Sequence, residues 1–310
     1  MGIFVERNKL TTLEDAARMV KDGDIVAIGG GLCLREPIAM LRELIRQGRR
    51  NLHIVGTAHG FDVDLACGGG IVGTVEETHV SFEQDFGLAP NYRRACESGA
   101  VKIKESCCNT IINQLRAAEF GMPFVPMRSI KGSDEIRFHP EYKEFTDPFT
   151  GKKVILVPAL EPDVAIIHVN KADIHGNVKI EPPYVADVLF MRASKKVIVT
   201  AEEILPEEEM KKIGPTIPYY EITAVVHAPF GAHPTSCYPY YAYDRAHIAE
   251  YMRAALAGPE AFKRNYLDKY VFGVKSHAEY IERIGGEEKM RLLASWKESR
   301  EKWMELFTYE

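Results

Sequence analysis

Short apolar runs alternate along this chain with longer segments whose apolar residues recur every three or four positions. The runs Ile25–Ile28, Leu52–Val55 and 101–104 predict strands, and 12–20, 37–46 and 107–120 predict amphipathic helices. After Lys153 the alternation resumes with 154–157, 164–169, 196–200 and 224–226. Strands alternating with helices predict an α/β fold: a parallel sheet covered by helices. The stretch 132–153 is rich in Pro, Gly and charge and reads as a flap or excursion. From Asp244 onward the character changes to charged helices, a helical C-terminal region over about 244–310. There Ile248, Tyr251, Met252, Ala255 and Leu256, and later Leu292, Trp296, Trp303 and Phe307, fall at helical spacing, as core or interface stripes do. The whole of 1–310 reads as a single domain.

The most informative local pattern is the end of the first run. Ile25–Ile28 stops in Gly29, Gly30 and Gly31, and Pro37 opens the next helix. Strand, bare backbone and helix in that order either make a tight turn or let a ligand lie against main-chain N–H groups, where an anion or developing oxyanion is held. A P-loop is excluded because Leu32, Cys33 and Leu34 follow where Gly-Lys-Ser/Thr is required. A dinucleotide fingerprint is excluded too: position 34 is leucine, and the strand Leu52–Val55 leads into Gly56 and Thr57, with no acid for a ribose.

Composition narrows the function class. At 310 residues, 46% hydrophobic and 27% charged, the chain is an ordinary globular protein. A net charge of −5 offers no electrostatic case for nucleic acid or an anionic membrane. Residues 1–7 soon become charged and do not read as a signal peptide, and no apolar run approaches a membrane span, so a cytoplasmic location is expected. The six cysteines (Cys33, Cys67, Cys96, Cys107, Cys108, Cys237) have no Cys-x-x-Cys spacing and read as reduced thiols. His233, Cys237 and Asp244 match no standard zinc spacing, so no metal site is expected.

Glu105 is the strongest catalytic candidate. It falls in phase with Val101 and Ile103, so a carboxylate is expected to point toward the buried face at the carboxyl end of a strand, where α/β proteins place ligands. Ser106 would cap the following helix. Burial would raise the acid's pKa and suit it to general acid or base work, the alternative being a glutamate turned to solvent or paired with arginine.

The glycine segment resembles the signature of the A-type subunit of the family I CoA-transferases. Asp22-Gly23, Val26-Ala27-Ile28, Gly29-Gly30 and Pro37 match it, while Gly31 stands for a phenylalanine and Arg35 for a later glycine. Further segments are similar to the glutaconate CoA-transferase branch: residues 121–128, 131–134, 162–168, Ala172-Asp173, Gly176-Asn177 and 231–238. The resemblance extends from near residue 15 to near 255 and implies a fold shared by CoA-transferases and sugar-phosphate isomerases. It implies coenzyme A as a substrate with no permanently bound cofactor, and acyl-CoA and carboxylate, even dicarboxylate, substrates. The family's attacking glutamate lies in a Ser-Glu-Asn-Gly type motif on a separate B-type subunit. No Glu-Asn pair occurs here, so a B-type partner, in an α2β2 assembly, is implied. Backbone N–H groups of Gly29, Gly30 and Gly31 would then stabilise the thioester oxyanion.

A hydrolytic offshoot of the family, which opens a ring of a steroid-derived acyl-CoA, is similar at the segments around Glu105 and 123–128. It implies Glu105 as catalytic acid or base. Arg35 and Arg128 could hold a substrate carboxylate by bidentate pairing. The polar loop 231–238 looks like the family's loop near the subunit interface and offers His233, Ser236 and Tyr238 for substrate contact. Ser236 lacks a nucleophile elbow. His59 and Asp62, beyond the second strand, could border the same pocket.

Overall fold

The computed structural model describes residues 8–295. Twelve strands are assigned there: β1 (Leu10–Thr11), β2 (Ile25–Ile28), β3 (Leu52–Val55), β4 (Val72–Glu76), β5 (Lys102–Ile103), β6 (Phe124–Met127), β7 (Lys143–Thr146), β8 (Lys153–Pro158), β9 (Val164–Ala172), β10 (Val178–Lys179), β11 (Val197–Ile204) and β12 (Ala224–His227). The main sheet runs β1-β12-β11-β9-β2-β3-β4-β5, every one of these pairs parallel, with β10 antiparallel on β9. The parallel, helix-covered sheet expected from the alternation is therefore present.

Both faces of this sheet are buried, which is why its strands read as continuous apolar runs. On β2 the period of two is visible directly: Val26 and Ile28 enter one core with Leu41, Leu44 and Phe61, while Ala27 enters the other with Ile167, Phe190 and Val199. The helix Ile38–Arg46 starts after Pro37 and ends at Gly48, whose φ of 67° takes the chain out of the helix.

Residues 154–157 depart from the expected pattern. β8 joins no parallel sheet; it lies between β6 and β7 in a separate three-stranded antiparallel sheet that includes part of the flap stretch. Its inner face packs Met127, Ile155 and Val157 around Tyr142. An apolar run of four does not by itself say which sheet it joins.

In the C-terminal region Asp244 caps the helix Arg245–Leu256 by accepting the His247 N–H at 3.0 Å. Ile248, Tyr251, Met252 and Ala255 are buried as the spacing requires, but Leu256 is exposed. Met290 and Leu293 are buried in the last described helix, and Leu292 is partly exposed. Trp296, Trp303 and Phe307 lie outside the described residues. Among the described residues no helix is long and apolar enough to cross a membrane.

Candidate active site

The carboxyl ends of the parallel strands bring together the glycine loop after β2, residues 56–60 after β3, residues 77–81 after β4 and Glu105 after β5. The glycine loop is held from two sides. On one side Arg35 N–H donates to the Ser236 carbonyl at 2.7 Å, and the Ser236 N–H and Oγ both donate to the Cys33 carbonyl at 2.8 Å. On the other, the fully buried Arg35 guanidinium meets Asp187 at 2.5 Å and donates to the carbonyls of Glu181 (2.9 Å) and Pro183 (2.7 Å). Asp187 also accepts the Gly30 N–H at 2.6 Å. Burial raises the Asp187 pKa above its ordinary value, against the pull of Arg35 and of that N–H.

This geometry corrects the expected use of the glycines. Gly29 N–H donates to the Ile166 carbonyl, Gly30 N–H to Asp187 and Gly31 N–H to the Leu34 carbonyl, so all three are spent inside the chain. Cys33 N–H goes to Glu36 and Leu34 N–H to Gly31. Leu32 N–H, at a residue with φ of 49°, makes no such bond to a described residue, and Leu32 is 40% exposed. The glycines serve close packing: a Cβ on Gly30 would sit 2.4 Å from the Leu34 carbonyl oxygen, and one on Gly31 would sit 2.7 Å from that of Ala58.

Beside this turn lies a cavity of about 370 Å³ lined by Leu32, Cys33, Ser81, Phe82, Asp85, Phe86, Ser236, Tyr243 and Ile248. Ser236, offered by the sequence for substrate contact, is among these lining residues. Arg35 does not line the cavity: its guanidinium is fully buried, with both terminal nitrogens on Glu181, Pro183 and Asp187, so it acts as a strut of the loop. Arg128 is 68% exposed on the antiparallel sheet, 3.7 Å from Asp147, and does not line the cavity. His233 is fully buried between the Tyr280 hydroxyl (2.8 Å) and Asp244 (3.1 Å), and burial lowers its pKa, so it ties the C-terminal helices to the sheet. Tyr238 is about half exposed, with its carbonyl held by Asn170.

Glu105 is exposed, where the alternation had placed it inward. Of its strand mates Val101 is buried, its N–H on the Ala95 carbonyl of the neighbouring helix, while Ile103 is 48% exposed. β5 is the edge strand, and cover ends with Val101. The Glu105 carbonyl accepts from His139 at 2.6 Å, which anchors its backbone to the flap. The helix beyond begins one residue later than expected, at Cys108 with Cys107 as its cap, and Ser106 is buried.

Sequence reading placed His59 and Asp62 near the pocket but missed Glu36 and Glu77. Glu36 accepts the N–H groups of Cys33 (3.3 Å) and Asp62 (3.1 Å), and Asp62 is hydrogen-bonded to His59 Nδ1. Among the described residues, neither Glu77 carboxylate oxygen nor His59 Nε2 finds a hydrogen-bond partner. Nothing in a single sequence marks such a cluster, since Glu36 comes from the loop after β2, His59 and Asp62 from the loop and helix after β3, and Glu77 from the end of β4.

Among the described residues two groups have metal-compatible spacing, Glu36 with His59 and Asp62, and His168 with Glu202 and Cys237. In the second, both His168 nitrogens are already bonded, to Thr200 at 2.8 Å and Glu202 at 2.6 Å. Cys237 lies with that group and not with His233 and Asp244.

The coenzyme A transferase family model matches residues 10–228. The chain is 34% identical to the A-type chain of glutaconate CoA-transferase from Acidaminococcus fermentans, over 90% of this chain and 92% of that one. The crystal structure of that transferase superposes with a TM-score of 0.87 at 32% identity, over 92% of this chain and 95% of that one. The cholesterol ring-cleaving hydrolase IpdA subunit of Rhodococcus jostii is 32% identical over 88% of this chain and 98% of its own length. An uncharacterised protein of Archaeoglobus fulgidus is 37% identical over 95% of this chain, which spans 66% of that longer protein. The transferase relative and the family model thus agree over most of the chain: it belongs to the coenzyme A transferase family.

Proposed function

We propose that this chain is the A-type half of a two-subunit enzyme that moves coenzyme A from an acyl-CoA to a second carboxylic acid. The observation that carries this reading is the strapped glycine loop, which spends the N–H of every glycine internally and places Leu32, whose N–H has no bond to a described residue, in the wall of a cavity. As a partner glutamate attacks the thioester carbonyl, the oxygen gains charge, and a fixed N–H donor there stabilises it by about 3–4 kcal/mol in comparable sites. The C–S bond breaks and CoA thiolate leaves a mixed anhydride. The thiolate then attacks the glutamyl carbonyl, releasing the first acid and leaving a glutamyl-CoA thioester, from which the second acid takes CoA in the reverse sequence. Arg35 and Arg128 lie outside the cavity and no arginine is among its described lining residues, so a dicarboxylate would draw its second contact from the B-type partner. An α2β2 assembly fits a site shared between two chains. Six free thiols fit the reducing cytoplasm.

The hydrolytic reading draws on one observation, the exposed Glu105 held by its backbone at the carboxyl edge, where it could take or give a proton. Intact mass of the complex with its natural partner, after acyl-CoA and borohydride, separates the two. Reduction at a partner glutamate supports transfer. Acyl-CoA loss without an adduct, abolished by Glu105→Ala, supports hydrolysis. Sequential kinetics with no borohydride-sensitive adduct would refute transfer.

A further inference from the structure

Behind the cavity wall, Glu36, Asp62, His59 and Glu77 form a buried cluster that the proposed chemistry does not use directly. Its connectivity is specific. His59 Nδ1 meets Asp62; Asp62 N–H donates to one oxygen of Glu36; the other oxygen of Glu36 accepts the N–H of Cys33, next to Leu32. His59 also sits in the main chain of the wall, its N–H on the His79 carbonyl and its carbonyl on the N–H of Ser81, which lines the cavity. Its remaining nitrogen converges with Glu77 over Gly56, where a Cβ would lie 2.0 Å from Glu77 Oε1 and 2.7 Å from His59 Nε2.

Building on the reading above, we propose that His59 is a positioning residue of the thioester site, a buried side chain that through Asp62 and Glu36 holds the Leu32–Cys33 turn in place at the cavity wall. The reason lies in charge balance. Glu36 faces Asp62 and His59; Glu77 faces His59, Asp62 and Glu76; and the Arg35–Asp187 pair is the next charge outward. Three clustered carboxylates away from water need a cation or protons. Burial and Asp62 leave the Glu36 pKa well above its ordinary value even though His59 pulls it down. Burial pushes the imidazole down, but Asp62, Glu77 and Glu36 prevail and raise it to about 10. His59 fixes Asp62, Asp62 N–H fixes one oxygen of Glu36, and the other oxygen is then placed on Cys33 N–H. Without the imidazole Asp62 loses its side-chain partner, and the hold on Cys33 N–H weakens.

Two readouts test this on the full complex: hydrogen exchange of the 31–36 segment at pH 7, and kcat and KM from pH 6 to 10. His59→Gln should speed exchange there at least about 10-fold while the helix Arg245–Leu256 keeps wild-type protection, since small losses in local opening energy act tenfold per 1.4 kcal/mol. Its kcat should fall about 100-fold with little change in KM, as misplacement of a donor predicts. Glu77→Gln keeps the shape of a side chain whose pKa burial raises to about 8 but removes its carboxylate; by lowering the imidazole pKa it should move the alkaline limb of kcat below the wild-type value near 10. Unchanged exchange at 31–36 in His59→Gln, or an alkaline limb identical in Glu77→Gln and wild type, overturns the proposal. If the wild-type complex turns over no acyl-CoA, the function reading fails instead, and the exchange result still decides the role of His59.

Discussion

Replacing Asp187 by leucine removes the partner of a guanidinium that has no access to water. Arg35 would keep two carbonyl acceptors, Glu181 at 2.9 Å and Pro183 at 2.7 Å, but lose its carboxylate partner Asp187, at 2.5 Å. Breaking such a buried pair from one side costs about 3–5 kcal/mol, because the surviving charge is left without compensation. The two remaining carbonyls place Arg35 toward the lower end. The Gly30 N–H also loses its acceptor, which adds a share of the usual penalty of about 1–3 kcal/mol for an orphaned buried donor. A total near 4–5 kcal/mol follows, a fall in melting temperature of about 6–8 °C for a chain of 310 residues. The pair itself is a poor source of net stability, since burial raises the Asp187 pKa even with Arg35 beside it. Arg35→Met combined with Asp187→Leu should therefore cost less than Asp187→Leu alone, leaving mainly the Gly30 N–H to account for. Urea midpoints and melting temperatures of wild type, both single variants and the double variant close the cycle. A loss below about 1 kcal/mol for Asp187→Leu, or a double variant less stable than that single one, would refute the argument that an isolated charge dominates.

Gly30→Ala should leave little folded protein, because its Cβ would meet the backbone of Leu34 and Arg35 at 2.4–2.6 Å; Gly23→Ala, also at positive φ but in open space, should cost only about 1–2 kcal/mol of backbone strain. Equal melting temperatures for the two would contradict this. Acid should loosen the contact between the C-terminal helices and the sheet. Burial holds His277 down to about 3 and lowers His233 and His247, so the folded state binds fewer protons than the unfolded one; stability is full above about 6.5 and is lost as pH falls toward 3. At pH 5 His277 alone should remove about 2 kcal/mol, and a melting temperature flat between pH 7.5 and 5 would count against it. Tyr251→Phe deletes the 2.6 Å bond to Asp64, whose pKa burial raises to about 6. The loss should be about 1.5–3 kcal/mol at pH 8 and smaller at pH 5, where a protonated acid needs fewer donors; equal losses at both would argue that Asp64 is not ionised.

Several site residues could be read in sequence but not in their roles. Gly29, Gly30 and Gly31 were recognisable as bare backbone between strand and helix. Their N–H groups nevertheless find acceptors 157 residues away at Asp187 and across the sheet at Ile166, partners that no local pattern contains. Arg35 reads as a free guanidinium until the segment carrying Glu181, Pro183 and Asp187 folds over it. Glu105 shows how alternation fails at an edge: the period of two was right for Val101, but side chains point to a buried face only where something covers it, and on β5 that cover ends.

What the sequence determined by itself is whatever depends on neighbours along the chain. Apolar period decided which segments become strands and helices, Gly and Pro decided where β2 stops and its helix begins, and the ordered motifs pointed to the coenzyme A transferase family. Only the tertiary structure decided which polar groups are already spent. It assigned 154–157 to a second sheet, committed Arg35, His233 and the glycine N–H groups to internal bonds, placed Leu32 in a cavity wall and gathered Glu36, His59, Asp62 and Glu77 behind it. The physical reason is that a hydrogen bond or a buried charge is settled by the partner across space, and in a parallel sheet that partner comes from a distant strand or crossover.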